Sequence, residues 1–245
     1  MEKTILVIVI SLILSNAYSQ HDQQWAPEST EWYYPVPKVV VPGSGGQPPS
    51  DAIILFDGTS LSNWRSANGG PVQWTVKDSE LVVKPGAGNI VTRDFFGDCQ
   101  LHLEFRSPAP EQFVGQDRGN SGIFIQSRYE VQVLDGDSNS TYVNGMVGSI
   151  YKQNAPSVNA YTQNGAWQVY DIYWKAPRFG SNDELKSPAI ITVVLNGVVV
   201  QNNYVLEGNT PYVGLPKYEA HGRMPLALQD HGTRVSFRNI WIRNL

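Results

Sequence analysis

An all-β fold built as a two-sheet antiparallel β-sandwich is predicted by three observations. Short apolar or alternating runs recur from residue 51 to the end, helical periodicity is almost absent, and the connections are rich in Pro, Gly and Asn. Strands are predicted at 53–56, 74–77, 80–84, 89–92, 100–107, 121–125, 129–134, 168–175, 189–195, 198–201, 226–229 and 235–242. Asp57-Gly58 closes the first run, and Asp78-Ser79 joins two runs as a hairpin. Leu195-Asn196-Gly197-Val198 is the firmest local signature, because Asn-Gly supplies the two positive φ values of a type I′ turn. Long connections at 108–119, 135–165 and 202–224 are the segments expected to form a site.

Ahead of these strands the chain changes character twice. Lys3, the apolar run 5–14 and the small residues Ala17 and Ser19 have the form of a signal peptide over residues 1–19, which predicts export to the periplasm or the exterior. An apolar run of this length is too short to span a bilayer, which needs roughly 20 residues, so no membrane span is predicted. Residues 20–50 carry six prolines and Gly43-Ser44-Gly45-Gly46, and read as an extended arm. Trp25, Trp32, Tyr33 and Tyr34 make that arm too apolar for a free linker and predict that it lies against the domain 51–245.

The 245 residues are 41% hydrophobic and 11% aromatic, sufficient for one sizeable core without requiring two domains. Seven Trp and twelve Tyr provide flat rings of the kind that stack on sugars and on other apolar faces. A net charge of -4 supplies no electrostatic footprint for nucleic acid. Cys99 is the sole cysteine, so no intrachain disulfide forms, and its place at a strand start marks it as a small buried apolar residue.

Alternation with period 2 then separates the strand faces. In 129–133, Tyr129, Val131 and Val133 face one way, and Glu130 and Gln132 the other. In 101–106, Leu101, Leu103 and Phe105 leave His102, Glu104 and Arg106 opposite. Tyr170, Ile172 and Trp174 leave Asp171, Tyr173 and Lys175, while Leu226 and Leu228 leave Gln229 and His231. Were these strands neighbours in one sheet, His102, Glu104, Glu130, Gln132, Asp171 and His231 would share a face. The plain alternative is the wet side of an antiparallel sheet, but two imidazoles and three carboxylates with so few Lys or Thr favour a site. Such groups also bind metals, so a divalent cation such as Ca2+ stays open, although no tight His-x-His or His-Glu-x-x-His spacing is present. There is no dinucleotide fingerprint, phosphate loop or Gly-x-Ser-x-Gly elbow, so neither a nicotinamide nor a flavin cofactor is predicted. In the loop 116–122, Arg118 and Asn120 either aim donors at ligand oxygens or bond their own turn.

Several stretches together resemble the 3-keto-disaccharide hydrolase domain family. They are Ile54-Leu55-Phe56-Asp57-Gly58 with Leu61 and Trp64, Phe96-Gly97-Asp98 with Leu101, His102, Glu104 and Phe105, and Gly119-Asn120-Ser121-Gly122. They continue with Tyr129 to Asp135, Trp167-Gln168 with Tyr170-Asp171, and Leu228-Gln229-Asp230-His231-Gly232. The resemblance runs from about residue 52 to 245, and the combined string is specific although each piece alone is not; Cys99 is the one local departure. It implies a concanavalin A-like jelly roll, export, and a carbohydrate substrate already oxidised at C3 by a separate sugar 3-oxidoreductase, the implied pathway partner. It also implies a mechanism in which the C3 ketone acidifies the C2 hydrogen, so that the C1 oxygen leaves by elimination and water adds afterwards. Within that mechanism the candidate base is Glu130 or His231, and the candidate acid or supporting partner is Glu104 or His102. Arg118 and Asn120 are the candidate enolate donors, and Gln132, Tyr129, Asp135, Asp171, Gln229 and Asp230 are further substrate-binding candidates. Two rivals stand beside it: a two-carboxylate glycosidase on the same fold, disfavoured because Glu130-Val131-Gln132 lacks the middle Asp of Glu-x-Asp-x-x-Glu, and a lectin-like binding module.

Overall fold

The computed structural model describes residues 26–108 and 113–245, and the signal-peptide reading and Trp25 lie outside them. The chain divides after Val39 into two units. In the first, the described residues hold one 3-10 turn, Pro27–Thr30, opened by proline where a helical N–H would have no partner. The second starts at Val40, so the last residues of the predicted arm belong to the domain itself.

Fifteen strands make up that domain, in chain order β1 Ile53–Phe56, β2 Trp64–Ser66, β3 Thr75–Lys77, β4 Glu80–Val82, β5 Ile90–Thr92, β6 Cys99–Arg106, β7 Ser121–Ile125, β8 Tyr129–Val133, β9 Gln168–Lys175, β10 Arg178–Phe179, β11 Leu185–Ser187, β12 Ile190–Leu195, β13 Val198–Val205, β14 Ala227–Leu228 and β15 Ser236–Asn244. The larger sheet runs β13-β12-β9-β6-β15-β4-β3, with β1 also paired to β15. The smaller runs β2-β5-β14-β7-β8, and β10-β11 is a separate two-stranded ribbon. Every pairing is antiparallel. The predicted two-sheet sandwich is the observed fold.

Leu101, Leu103 and Phe105 of β6 and Tyr170, Ile172 and Trp174 of β9 meet Ile123, Ile125, Tyr129, Val131 and Val133 of the smaller sheet in one core. The Tyr129 and Trp174 rings lie 4.9 Å apart, and the Tyr170 hydroxyl donates to the Gln132 carbonyl at 2.8 Å, which ties the two sheets together. Both Asn196 and Gly197 have positive φ, as do Asp78 and Ser79, so the two hairpin turns form where their sequences require them. Three pieces depart from the sequence reading. β2 is three residues long and lies outside the predicted strands, the β10-β11 ribbon lies in a polar stretch, and β13 continues four residues beyond its predicted end at 201.

Candidate active site

The site grows from the hairpin β7-β8. Its turn holds Gln126 and Ser127 at φ of 52° and 54°, and two side chains pin that strained pair: Gln126 Nε2 donates to the Phe96 carbonyl at 3.0 Å, and Ser127 Oγ to the Pro225 carbonyl at 2.9 Å. Beyond the turn, alternation sends Tyr129, Val131 and Val133 into the core and Glu130 and Gln132 outward. Yet all five residues of β8 are buried. The long loops explain it. Tyr151 N–H donates to the Glu130 carbonyl at 3.2 Å and Gln132 N–H to the Ser149 carbonyl at 3.0 Å, while Glu130 N–H donates to Thr210 Oγ1 at 3.0 Å. These loops raise walls over what would otherwise be an open sheet face.

They enclose a cavity of about 240 Å³. Glu130, Gln132 and Phe124 form its floor, Asn120, Gln229 and His231 one side, and Tyr151, Thr210 and Tyr212 the other. Gly122 stands opposite Gln132 in the β7-β8 register, and a Cβ there would lie 2.4 Å from Glu130 Oε1, so only glycine leaves room for the carboxyl. Gln229 N–H donates to the Gly122 carbonyl at 3.0 Å, which sets Gln229 beside that carboxyl.

Glu130 is 5% exposed, and its carboxyl makes no hydrogen bond or ion pair with any described residue. Desolvation alone pushes its pKa up from 4.5 to about 8. Around it, Gln132 Nε2 is spent on Gln116 Oε1 and the Gly145 carbonyl, both at 3.1 Å, and Asn120 Nδ2 on the Gln116 carbonyl at 2.7 Å. The oxygens Gln132 Oε1 and Gln229 Oε1 are buried and find no partner among the described residues. Unmet acceptors of this kind are rare in a folded protein and suit a ligand that brings hydroxyl donors.

The structure divides the sequence-derived candidates between the two sheets. Glu130, Gln132, Asn120, Gln229 and His231 come together, as do Phe124, Tyr151, Thr210 and Tyr212, which the sequence reading did not single out. His102, Glu104 and Asp171 lie on β6 and β9 of the larger sheet, so the single shared face is corrected: each strand's phase is right, but the strands belong to different sheets. There His102 Nδ1 lies 2.7 Å from Asp171 Oδ1, and Glu104 takes Arg238 Nε at 2.6 Å and Asn239 Nδ2 at 3.0 Å.

Arg118 is likewise corrected as an enolate donor. Its Nε is engaged at 3.0 Å by the fully buried Asp135, which also takes Asn164 Nδ2, so this pair braces the loop base and neither residue lines the cavity. Tyr129 points into the core with its hydroxyl 2.8 Å from His221 Nε2, on the opposite side of β8 from Glu130. Asp230 accepts from the N–H groups of Gly88 and Gly232 at 2.9 and 3.0 Å and shapes the turn that carries His231. Among the described residues no group of three or more His, Cys, Asp and Glu side chains is placed to hold a metal ion.

A β-sandwich whose smaller sheet carries a walled, ring-lined cavity around one desolvated carboxyl is a carbohydrate-hydrolase-like protein in its architecture and in its relatives. Residues 51–243 match the model of the 3-keto-alpha-glucoside-1,2-lyase-like domain, and the chain belongs to that family. A protein of Parabacteroides distasonis ATCC 8503, provisionally named a glycosyl hydrolase and solved at 2.13 Å, is 47% identical, with a TM-score of 0.86 over 90% of this chain and 97% of its own. A second so named from the same organism is 21% identical, with a TM-score of 0.61 over 80% of this chain and 94% of its own, and shares the fold. No curated protein matches the chain.

Proposed function

We propose that the protein is an exported enzyme that opens the glycosidic bond of 3-keto-glycosides by elimination and hydration, with Glu130 as the base. The carrying observation is that Glu130 is the one carboxyl among the described residues lining the cavity. A retaining glycosidase needs a second carboxyl about 5–5.5 Å from the first, and an inverting one a second about 6.5–9.5 Å away. Glu104, the other catalytic carboxyl candidate, stands on the other sheet and is paired with Arg238. Elimination from a 3-keto sugar needs one base and one proton donor, and Glu130 with His231 supplies that pair.

The electron flow follows from the ketone. Glu130 takes the C2 hydrogen as a proton, and the C2–H pair becomes the C2=C3 enolate. The enolate re-forms the C3 ketone while C1=C2 forms and the C1–O bond breaks, its electrons leaving on the aglycone oxygen, which His231 protonates. Water then adds across C1=C2, hydroxide at C1 and a proton at C2, giving the free 3-keto sugar. A carboxylate held near a pKa of 8 is a stronger base than an ordinary one, which suits removal of a carbon-bound proton. The unpartnered oxygens of Gln132 and Gln229 accept from sugar hydroxyls, and Tyr151 and Tyr212 supply ring faces. The oxidised substrate has to come from a sugar 3-oxidoreductase, and residues 1–19 carry the export reading.

The test is turnover of a 3-keto-disaccharide and of its unoxidised parent in deuterated water. Cleavage of the keto sugar alone, with one deuterium at C2 of the product, is the expected result. Cleavage of both without deuterium at C2 would establish a glycosidase, and binding without turnover a lectin-like module.

A further inference from the structure

The second cavity is larger, about 540 Å³, and lies on the outer face of the other sheet. Its floor is a grid of six side chains on three adjacent strands. One row is Asp171, His102 and Trp241; the next is Tyr173, Gln100 and Arg243, each set by the β9-β6 and β6-β15 registers. A strap of the chain closes over the grid. Ser50 N–H donates to the Val41 carbonyl at 3.0 Å and Ser50 Oγ accepts from Val41 N–H at 3.0 Å, so the strap is a closed loop. The Gly46 carbonyl anchors it to the sheet, accepting from Asn239 Nδ2 at 2.9 Å and Trp241 Nε1 at 3.1 Å. Arg243 grips Asp51 at the strap's end, at 2.8 Å.

We propose that this cavity is a second, non-catalytic site that binds one neutral sugar ring. Two kinds of group in it lack partners among the described residues. Tyr173 is 43% exposed with its hydroxyl unbonded, and it presents the ring face on which the C–H side of a sugar stacks. Asp171 Oδ2 and the Gln100 amide nitrogen are also unbonded, an acceptor and a donor on neighbouring strands, which matches vicinal hydroxyls. Arg243 is engaged by Asp51 and Asp171 Oδ1 by the His102 ring, so the grid offers no free cation to an anion, and among the described residues no cluster of three metal-ligating side chains forms there. That favours a polyhydroxylated neutral ligand over an ion.

The floor is fixed before any ligand arrives. His102 is 3% exposed and lies parallel to Trp241 at 5.0 Å between centroids. Its Nδ1 lies 2.7 Å from Asp171 Oδ1, so the carboxylate is held in one orientation. The site is independent of Glu130 chemistry, which belongs to the smaller sheet.

The experiment is a titration of the ¹⁵N-labelled full chain with cellobiose, maltose and trehalose, each unoxidised, followed by amide and indole resonances. Saturable shifts at the Trp241 indole and the Gly46 amide are expected with at least one of them. Tyr173→Ala should weaken that binding at least ~10-fold while leaving turnover of a 3-keto-disaccharide unchanged, and Glu130→Gln should leave the binding intact. The proposal is overturned if none of the three sugars moves these resonances, if shifts are confined to Gly122 and Thr210, or if Tyr173→Ala binds as tightly as the wild type.

Discussion

The two sheets treat acidic side chains in opposite ways. On the larger sheet every outward carboxylate among the candidates is answered: Asp171 by His102, Glu104 by Arg238 and Asn239. Arg238 and Arg106 in turn lie over the Trp167 ring at 4.1 and 4.9 Å. On the smaller sheet Glu130 is buried deeper than either and answered by nothing among the described residues. A fold selected only for stability would pair it or replace it, since an unpaired buried carboxyl is destabilising. Pairing marks where the molecule is held together, and its omission marks where it is ready to react.

Four experiments would break or sharpen this contrast. The largest effect belongs to Glu130→Gln, expected to lower kcat on a 3-keto-disaccharide by roughly 10²–10⁴-fold. The same change should stabilise the fold, and the sign follows from linkage. Folded Glu130 keeps its proton up to about pH 8, whereas the unfolded chain releases it near 4.5, so stability falls as pH rises through that window. Chemical denaturation should therefore show the variant gaining over the wild type across the window, by up to ~5 kcal/mol above it, with no such gain below 4.5.

Gly122→Ala comes next. The new methyl would collide with the carboxyl and with Phe124 Cε2, 2.8 Å away, so kcat should fall by about 10²-fold through displacement of the base. A comparable loss in Gly222→Ala, where a Cβ meets nothing within 4 Å and φ is not positive, would show that glycine replacement as such is the cause. On the paired sheet, Asn239→Ala should do the reverse. It removes the donor to Gly46 and Glu104 and puts alanine, which tolerates the left-handed region less well than asparagine, at φ 48°, so unfolding free energy should drop by about 2–3 kcal/mol with kcat unchanged. The smallest effect is in the pH profile: kcat/KM of the wild type should show an inflection near pH 8 that is absent from Glu130→Gln, and a wild-type profile without that inflection would remove Glu130 as the titrating base.

How much of this was legible beforehand depends on range. Alternation is a local property, and it assigned Glu130, Gln132, His102 and Asp171 to outward positions that the structure keeps. Sheet membership is not local. Nothing between residues 107 and 121 announces that β6 and β7 part into different sheets, so two sites were merged into one. The same limit hid Tyr151, Thr210 and Tyr212, which enter the cavity from connections whose only sequence signal is their length. Phe124 was within reach, since it alternates with Ile123 and Ile125 beside Gly122. Arg118 looked free because its partner Asp135 lies a whole hairpin away in sequence.

Cys99 opens β6 in the middle of the larger sheet, 1% exposed, with its thiol pushed up to about 12 by burial. So protonated and enclosed a sulfur does not react with a thiol reagent while the sheet is intact. It becomes a built-in stopwatch. The rate at which a disulfide reagent titrates the one thiol measures how often β6 parts from β9 and β15, without any label being introduced.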